Sequence, residues 1–129
     1  EIYNHMEIRK ELDQIGGHRW KTDHSDTEMI LHAYEEWGMN CLQKFRGMFA
    51  IALWDGRKRK FYLIRDRIGI KPLYYLIEDG VLTFASEIKA ILKVRKKKAK
   101  INEKALYDYL SFLTIYLCLF LYTTTSLVL

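Results

Sequence analysis

Cysteine is scarce in this sequence, since only Cys41 and Cys118 occur among 129 residues. Two cysteines cannot form the framework of several disulfides on which small secreted domains depend, and they lack the C-x-x-C spacing of structural zinc sites. The first ten residues are mixed and charged, without the apolar run of a secretory signal. These absences predict a reducing, cytoplasmic setting with neither a disulfide framework nor a metal site.

Negative charge is missing from residues 93–100 (KVRKKKAK), which carry six positive charges. The whole chain has a formal net charge of +5, so the other residues together carry −1 (+5 minus +6). Because this charge is local and has no interleaved aromatic side chains, the sequence does not predict a nucleic-acid-binding face. The favoured interpretation of residues 93–100 is a solvated loop. The alternative is that they bind nucleic acid or a membrane surface.

All charge is absent from residue 109 to the end of the sequence. About 20 apolar residues suffice to span a membrane, but residues 113–129 include four threonines and a serine, which argue against a span. The other interpretations are a buried helix or strand, and a segment that does not belong to the preceding domain, for example through a shifted reading frame. We favour the last, which divides the chain into a domain at 1–112 and an apolar tail at 113–129.

Apolar spacing and turn residues predict both helices and hairpins, with no internal repeat. The order of elements predicts an α+β fold, in which antiparallel strands pack against helices. The strand at 48–54 is apolar on both faces, so it should be covered on both sides. The predicted helices are residues 6–14, 25–37, 87–92 and 102–112, and the predicted strands are 18–22, 48–54, 60–65, 72–77 and 81–85.

The string SDTE at residues 25–28 has a structural interpretation. Ser25 can cap a helix while Glu28 reaches back to it, which is the pattern of a capping box. Asp26 then lies in the first turn, where the helix dipole favours a carboxylate. A carboxylate held there could also bind an ammonium group, and the two roles are compatible.

Other reactive side chains favour structural roles. Residues 65–67 (RDR) indicate an ion-pair cluster at the end of a strand. Cys41 precedes Leu42 and Phe45 on a predicted short helix, and no His-Asn or His-Asp set at a known spacing supports it as a nucleophile, so it is predicted to be a small core residue. The four histidines, which are His5, His18, His24 and His32, show no spacing typical of metal ligands, so surface or structural roles are predicted.

Five strings together resemble one known family, the glutaminase domain of glutamine-hydrolysing asparagine synthetase, a class II glutamine amidotransferase. The resemblance covers residues 1–112, and the tail at 113–129 does not match. It implies the N-terminal nucleophile hydrolase fold, a four-layer αββα sandwich, here incomplete at its N-terminus. The strings are EIYNH (1–5), SDTE (25–28), RGMFAIALWD (46–55), RDRIGIKPLYY (65–75) and FASEIKAIL (84–92).

The resemblance also implies a function. In this family an N-terminal cysteine attacks the glutamine side-chain amide, and the released ammonia reaches a synthetase domain that uses ATP and magnesium to convert aspartate to asparagine. Glu1 matches an acidic residue that helps to bind glutamine, and Asp26 matches the aspartate that binds its α-ammonium. The loop at 65–75 resembles one near the interface with the synthetase domain, so it should shape a docking surface. The implied partners are L-glutamine, that domain and, for the intact enzyme, a second copy in a homodimer, with no nucleic acid and no membrane.

This chain departs from the family pattern, because the cysteine, the oxyanion-hole Asn-Gly pair and a carboxylate-binding arginine would all precede Glu1. We therefore expect no catalytic residue, metal or cofactor in the fragment itself, and neither glutamine hydrolysis nor ATP binding by it. Strand edges left unpaired should make it poorly soluble or partly folded. The alternatives are another class II amidotransferase and a non-catalytic binding or regulatory module.

Overall fold

The computed structural model describes residues 1–95, 98 and 101–112. Four α-helices, one 3₁₀ helix at Gly38–Gln43 and two antiparallel hairpins make up this part of the chain. The α+β class is confirmed, whereas the four-layer sandwich stays a prediction. The helices are α1 (His5–Ile15), α2 (Asp26–Trp37), α3 (Ile88–Val94) and α4 (Glu103–Phe112), and the strands are β1 (Ala50–Asp55), β2 (Lys60–Arg65), β3 (Tyr74–Glu78) and β4 (Val81–Ala85).

The main core lies between α1, α2 and the 3₁₀ helix. α1 contributes the side chains of Ile8 and Leu12 at helical spacing, and α2 contributes those of Met29 and Ala33. Cys41 from the 3₁₀ helix is also buried, which confirms its predicted role as a core residue. Ile2 and Phe45 complete the buried cluster, and Trp20, Ile30, Tyr34, Trp37, Leu42 and Phe49 pack around it.

The start of α2 agrees only in part with the predicted capping box. The backbone N–H of Glu28 donates to the Ser25 hydroxyl at 3.2 Å, as expected of a helix N-cap. The Glu28 carboxylate does not return to Ser25 but accepts the backbone N–H groups of Lys21 at 2.6 Å and Thr22 at 2.8 Å. The reciprocal half of the capping box was therefore a wrong prediction, because an earlier segment offers this carboxylate two donors.

The same contacts explain why residues 18–22 are not the strand that was predicted. Arg9 donates from its guanidinium to the carbonyl oxygens of Thr22 at 2.7 Å and Asp23 at 3.0 Å. Together with the Glu28 carboxylate, it satisfies backbone groups that a neighbouring strand would otherwise pair. Side chains of α1 and α2 thus hold this segment in an irregular path.

The two hairpins form separate two-stranded sheets. β1 pairs with β2 from Ala50 opposite Arg65 to Asp55 opposite Lys60, close to the predicted bounds. The prediction that β1 is covered on both faces is wrong within the described residues, since Leu53 is buried but Trp54 on the other face is 59% exposed. The same face carries Ala50 and Ala52, which are also exposed, so the described residues leave it open to solvent.

The second hairpin packs against α3 and touches the first through its aromatic residues. β3 and β4 pair from Tyr74 opposite Ala85 to Glu78 opposite Val81. The rings of Phe61 in β2 and Phe84 in β4 lie 5.4 Å apart. This contact joins the two sheets only locally. Partial folding and poor solubility of the chain, which the sequence predicted, stay predictions.

Several sequence predictions fall on residues outside the described part. The basic stretch is described only at residues 93–95 and 98, and the apolar tail at 113–129 is outside altogether. The boundary at residue 112 therefore stays a prediction. Among the described residues, no helix has the length and apolar character needed to cross a membrane.

The N-terminal residues pair antiparallel with residues 46–48. Tyr3 N–H donates to the Arg46 carbonyl at 2.8 Å, and Met48 N–H donates to the Glu1 carbonyl at 3.1 Å. Gly47 lies opposite Ile2 with a φ of 149°, and a Cβ added there would lie 2.3 Å from the Glu1 carbonyl oxygen. We call residues 1–3 and 46–48 the N-terminal bridge.

We predict that Gly47→Ala separates the N-terminal bridge, because no Cβ fits between its two backbones. The free energy of unfolding should fall by more than about 1 kcal/mol, as measured by urea denaturation. Gly80→Ala is the matched control, since Gly80 also has a positive φ of 78° but has open space around it. A loss for Gly47→Ala no larger than that for Gly80→Ala would contradict the steric argument.

Candidate functional site

Glu1, the first residue implied to bind glutamine, is exposed at the end of the N-terminal bridge. Its backbone nitrogen donates to the Met48 carbonyl at 2.7 Å, and its carbonyl accepts from Met48 N–H at 3.1 Å. The backbone of Glu1 is therefore held by two hydrogen bonds to Met48, and the residue as a whole is exposed. A ligand can reach this carboxylate without any rearrangement of the core.

Asp26, the second such residue, lies at the first position of α2 and is half-buried. Its Oδ2 atom accepts the backbone N–H of Ile2 at 3.2 Å, and Oδ1 lies 3.5 Å from the Thr27 hydroxyl. Because Ile2 directly follows Glu1, this hydrogen bond brings the two acidic residues to one place across 25 positions of sequence. The N-terminal end of the helix dipole favours a carboxylate there.

The second oxygen of Asp26, which has only the 3.5 Å contact with Thr27, can accept a further hydrogen bond from a cation with several N–H donors, such as an ammonium group. The resemblance implies a cysteine nucleophile, and neither Glu1 nor Asp26 supplies a thiol. Cys41 does not fill that role, because burial raises the pKa of its thiol to about 11 and keeps it protonated at neutral pH. The predicted absence of a catalytic residue from the chain stays a prediction.

Two residues after Asp26, the Glu28 carboxylate anchors the segment that precedes α2. Besides two backbone N–H groups, it accepts a hydrogen bond from the Thr22 hydroxyl. These bonds lower the pKa of Glu28, with the Thr22 hydroxyl contributing most. The start of the helix is thus held in place from outside the helix itself.

The loop after β2 is organised around one buried carboxylate, that of Asp66. It accepts backbone N–H groups of Ile70 at 2.9 Å, Lys71 at 3.0 Å and Phe49 at 3.3 Å. The hydrogen bond from Lys71, followed by those from Ile70 and Phe49, lowers the pKa of Asp66 to about 2 against the opposing effect of burial. Asp66 therefore joins its own loop to the residue that precedes β1.

The predicted ion-pair cluster at residues 65–67 is not what holds this loop. Arg65 donates to the carbonyl oxygens of Gly69 at 2.5 Å and Lys71 at 2.7 Å instead of to a carboxylate. Gly69 has a φ of 72°, and a Cβ there would lie 2.9 Å from the Arg65 guanidinium carbon. The prediction was wrong because the backbone groups of this tight loop lie closer to the side chains of Arg65 and Asp66 than these two side chains lie to each other.

The tip of this loop is apolar and open to solvent. Ile68 is 86% exposed and Ile70 is 55% exposed. A cavity of about 460 Å³ lies between the loop and the N-terminal bridge, lined among others by Arg46, Phe49 and Ile68. An exposed apolar tip beside a cavity is typical of a surface that contacts another domain.

The structure also brings together two histidines that the sequence pattern left apart. The Nδ1 atoms of His18 and His32 lie 3.3 Å apart, and a Glu35 carboxylate oxygen lies 3.4 Å from the latter. A helical signal existed, because Glu28, His32 and Glu35 follow spacings of four and three residues along α2. No local sequence pattern predicted that His18, in the segment before α2, would contact His32.

Comparison with known proteins agrees with the resemblance in these segments. Residues 1–126 match the family model described as "Glutamine amidotransferase domain". The chain belongs to the glutamine amidotransferase domain family. Both Glu1 and Asp26 lie within the matched residues, but the match does not assign a role to either.

The curated relatives of this amidotransferase domain include asparagine synthetases. The chain is 42% identical over 108 residues to "Asparagine synthetase [glutamine-hydrolyzing] 3" of Bacillus subtilis (strain 168), covering 84% of the chain and 17% of that protein. It is 48% identical over 91 residues to "Asparagine synthetase [glutamine-hydrolyzing] 2" of the same organism, covering 70% of the chain and 12% of that protein. "Putative asparagine synthetase [glutamine-hydrolyzing] 2" of Methanocaldococcus jannaschii is 37% identical over 113 residues, covering 84% of the chain and 21% of that protein.

The chain therefore spans less than a quarter of the length of these relatives. Their names describe whole proteins, and this amidotransferase domain corresponds to one part of each. The family match reaches residue 126, whereas the first two relatives align over 108 and 91 residues.

We predict that Asp66→Asn loosens the loop after β2 and lowers the midpoint of thermal unfolding by several degrees at pH 7. Because the pKa of Asp66 is about 2 in the folded chain and 3.8 for a free aspartate, its stabilising effect is complete above pH 3.8. It decreases between about pH 4 and pH 2, where the unfolded chain binds a proton that the folded chain does not, and it is lost below about pH 2, where the carboxyl group is protonated in both states. The difference between the wild type and Asp66→Asn should therefore narrow below about pH 4.

Thermal unfolding monitored by circular dichroism between pH 2 and pH 7 measures this difference. Asp23→Asn is the matched control, because Asp23 is exposed and its side chain holds no comparable loop. If Asp66→Asn were as stable as Asp23→Asn across the whole range, the hydrogen bonds of Asp66 would not be what stabilises the loop.

Proposed function

We propose that this chain is the glutamine-recognising part of the glutaminase domain of an asparagine synthetase. The observation that carries the proposal is the hydrogen bond from Ile2 N–H to Asp26, which holds the residue after Glu1 beside Asp26 in a domain of the amidotransferase family. The names of the relatives support glutamine as the nitrogen donor and asparagine as the product. In this role the chain selects and orients glutamine before the amide is hydrolysed.

Asp26 suits the α-ammonium of a free amino acid. One of its oxygens accepts from Ile2, and the other has only a long contact of 3.5 Å with Thr27, so it can accept a further strong donor. An exposed Glu1 at the same edge adds negative charge that favours a cation. Glutamine within a peptide has no α-ammonium, so this arrangement favours the free amino acid as substrate.

The other parts of the proposal concern residues around this site. The N-terminal nucleophile hydrolase fold would cover the apolar face of β1 that carries the exposed Trp54. The loop after β2 would dock on the synthetase domain through Ile68 and Ile70, which flank a cavity. Burial of these side chains against a second domain would remove apolar surface from water.

ATP and magnesium are assigned to the synthetase domain of the intact enzyme. The proposed setting is the cytoplasm, where free glutamine and ATP are both available. A homodimer of the intact enzyme stays part of the proposal.

We predict that Asp26→Asn weakens binding of L-glutamine by about 10- to 100-fold, because an amide oxygen replaces a charged acceptor. Titration of the chain with L-glutamine, followed by two-dimensional NMR, measures the affinity. The asparagine side chain retains an oxygen for the Ile2 N–H, so the fold should be unchanged.

Two comparisons isolate the ammonium contact. Asp23→Asn removes a nearby exposed carboxylate and should bind glutamine like the wild type. 4-Carbamoylbutanoate, which is glutamine without its α-ammonium, should bind the wild type and Asp26→Asn equally. Equal affinity of these two proteins for L-glutamine, or no binding by the wild type, would overturn the assignment of Asp26.

A further inference from the structure

A second site lies outside the proposed glutamine site, where the segment before α2 meets the helix. Its three candidate ligands are His18, His32 and Glu35, each of which offers one ligand atom within 4.8 Å of the other two. We take Nδ1 as the ligand atom of each histidine, because these two nitrogens face each other. The two nitrogens are 3.3 Å apart, and the Glu35 oxygen is 3.4 Å from His32 Nδ1. We propose that these three residues bind a divalent transition-metal ion, with Zn²⁺ as the best fit.

The distances fit a metal of this class. Zinc binds imidazole nitrogen and carboxylate oxygen at about 2.0–2.2 Å, and two ligand atoms of a tetrahedron at that radius lie about 3.3–3.6 Å apart. Both short separations at His32 Nδ1 fall within or at this range. The ligand set of two imidazoles and one carboxylate is chemically suited to zinc rather than to calcium or magnesium, which prefer oxygen alone.

The Nε2 atoms of the two histidines, which face away from the proposed ion, have the surroundings that metal-bound histidines need. His18 Nε2 is buried without a hydrogen-bond partner and lies 3.7 Å from a Glu36 carboxylate oxygen. His32 Nε2 lies 3.9 Å from a Glu28 carboxylate oxygen. When one ion is bound by both Nδ1 atoms, each imidazole carries its proton on Nε2. The nearby carboxylates would then accept that N–H and orient the ring.

A hydrogen bond between the two histidines is the competing explanation for their short distance. That arrangement uses Nδ1 of both rings, but it leaves Glu35 beside an already satisfied nitrogen and does not explain why three ligand atoms converge. It also needs no metal, so it predicts no effect of zinc. The two explanations therefore differ in a direct measurement.

The site would join residues 16–20 to α2. His18 is 9% exposed and His32 is 16% exposed at the side chain, whereas Glu35 is 65% exposed. The ion would thus have two sheltered ligands, one ligand at the surface and a fourth position open to water. This proposal goes beyond the glutamine site and does not depend on it, since neither Glu1 nor Asp26 takes part.

We predict that the chain binds one Zn²⁺ ion, and that zinc raises its midpoint of thermal unfolding in a concentration-dependent way. His18→Ala, His32→Ala and Glu35→Gln should each weaken zinc binding by at least about tenfold, because even partners outside the ligand set contribute this much. Competition with a chromophoric zinc chelator measures the affinity. Glu36→Gln should weaken it by about tenfold through His18.

A spectroscopic measurement reports on the position of the ion. Co²⁺ in place of Zn²⁺ should show the intense visible absorption of tetrahedral coordination and should quench Trp20, whose ring centroid lies 4.5 Å from that of His32. Trp20→Phe should remove this quenching and retain the cobalt absorption. Neither effect is expected from a hydrogen bond between the histidines.

His24→Ala is the matched control, since His24 is exposed and lies outside the cluster. It should bind zinc like the wild type. If the histidine variants do not fold, Glu35→Gln decides, because that side chain is largely exposed and its loss leaves the core intact. No zinc binding by the wild type, or equal binding by Glu35→Gln and His24→Ala, would overturn the proposal.

Discussion

The close approach of residues 1–3 to residues 46–48 is the contact on which the rest of the described structure depends. It places the fully buried Ile2 side chain between α1, α2 and the 3₁₀ helix, where complete burial of such a side chain contributes about 1.5–3 kcal/mol. Asn4 strengthens it by donating to the Lys44 carbonyl and accepting from Arg46 N–H, both at 2.9 Å. The same approach carries Glu1 to the start of α2. The core and the proposed glutamine site therefore share one backbone contact.

Carboxylates that accept backbone N–H groups provide the second organising feature. Asp26 accepts from Ile2, Glu28 from two residues of the preceding segment, and Asp66 from three residues on both sides of its hairpin. Irregular segments have no neighbouring strand to satisfy their donors, and an ionised carboxylate offers several acceptor positions at once. Acidic residues therefore shape the loops that regular secondary structure cannot.

The sequence predicted those features of the fold that depend on interactions between residues close together in the chain. Helical spacing located α1 and α2, alternation and turns located both hairpins, and Ser25 was recognised as a helix cap. The errors concern partners distant in sequence. Residues 18–22 have strand-like composition, but Glu28 and Arg9 occupy their backbone groups, and the apolar pattern of β1 carried no information about which elements would cover it. The resemblance paired Glu1 with Asp26, whereas the approach of His18 to His32 across 14 positions needed coordinates.

α2 carries both candidate sites, and their relation follows from how its first turn is held. Asp26 lies at the start of the helix and is anchored to Ile2, whereas His32 and Glu35 lie about two turns further along. Glu28 lies between them, since its carboxylate accepts from Lys21 and Thr22 and also lies 3.9 Å from His32 Nε2. A metal at the histidines would restrict the segment that enters the helix without touching Asp26. The proposed glutamine recognition would therefore depend on the N-terminal bridge, and the proposed metal site would restrict residues 16–20, which precede Ser25.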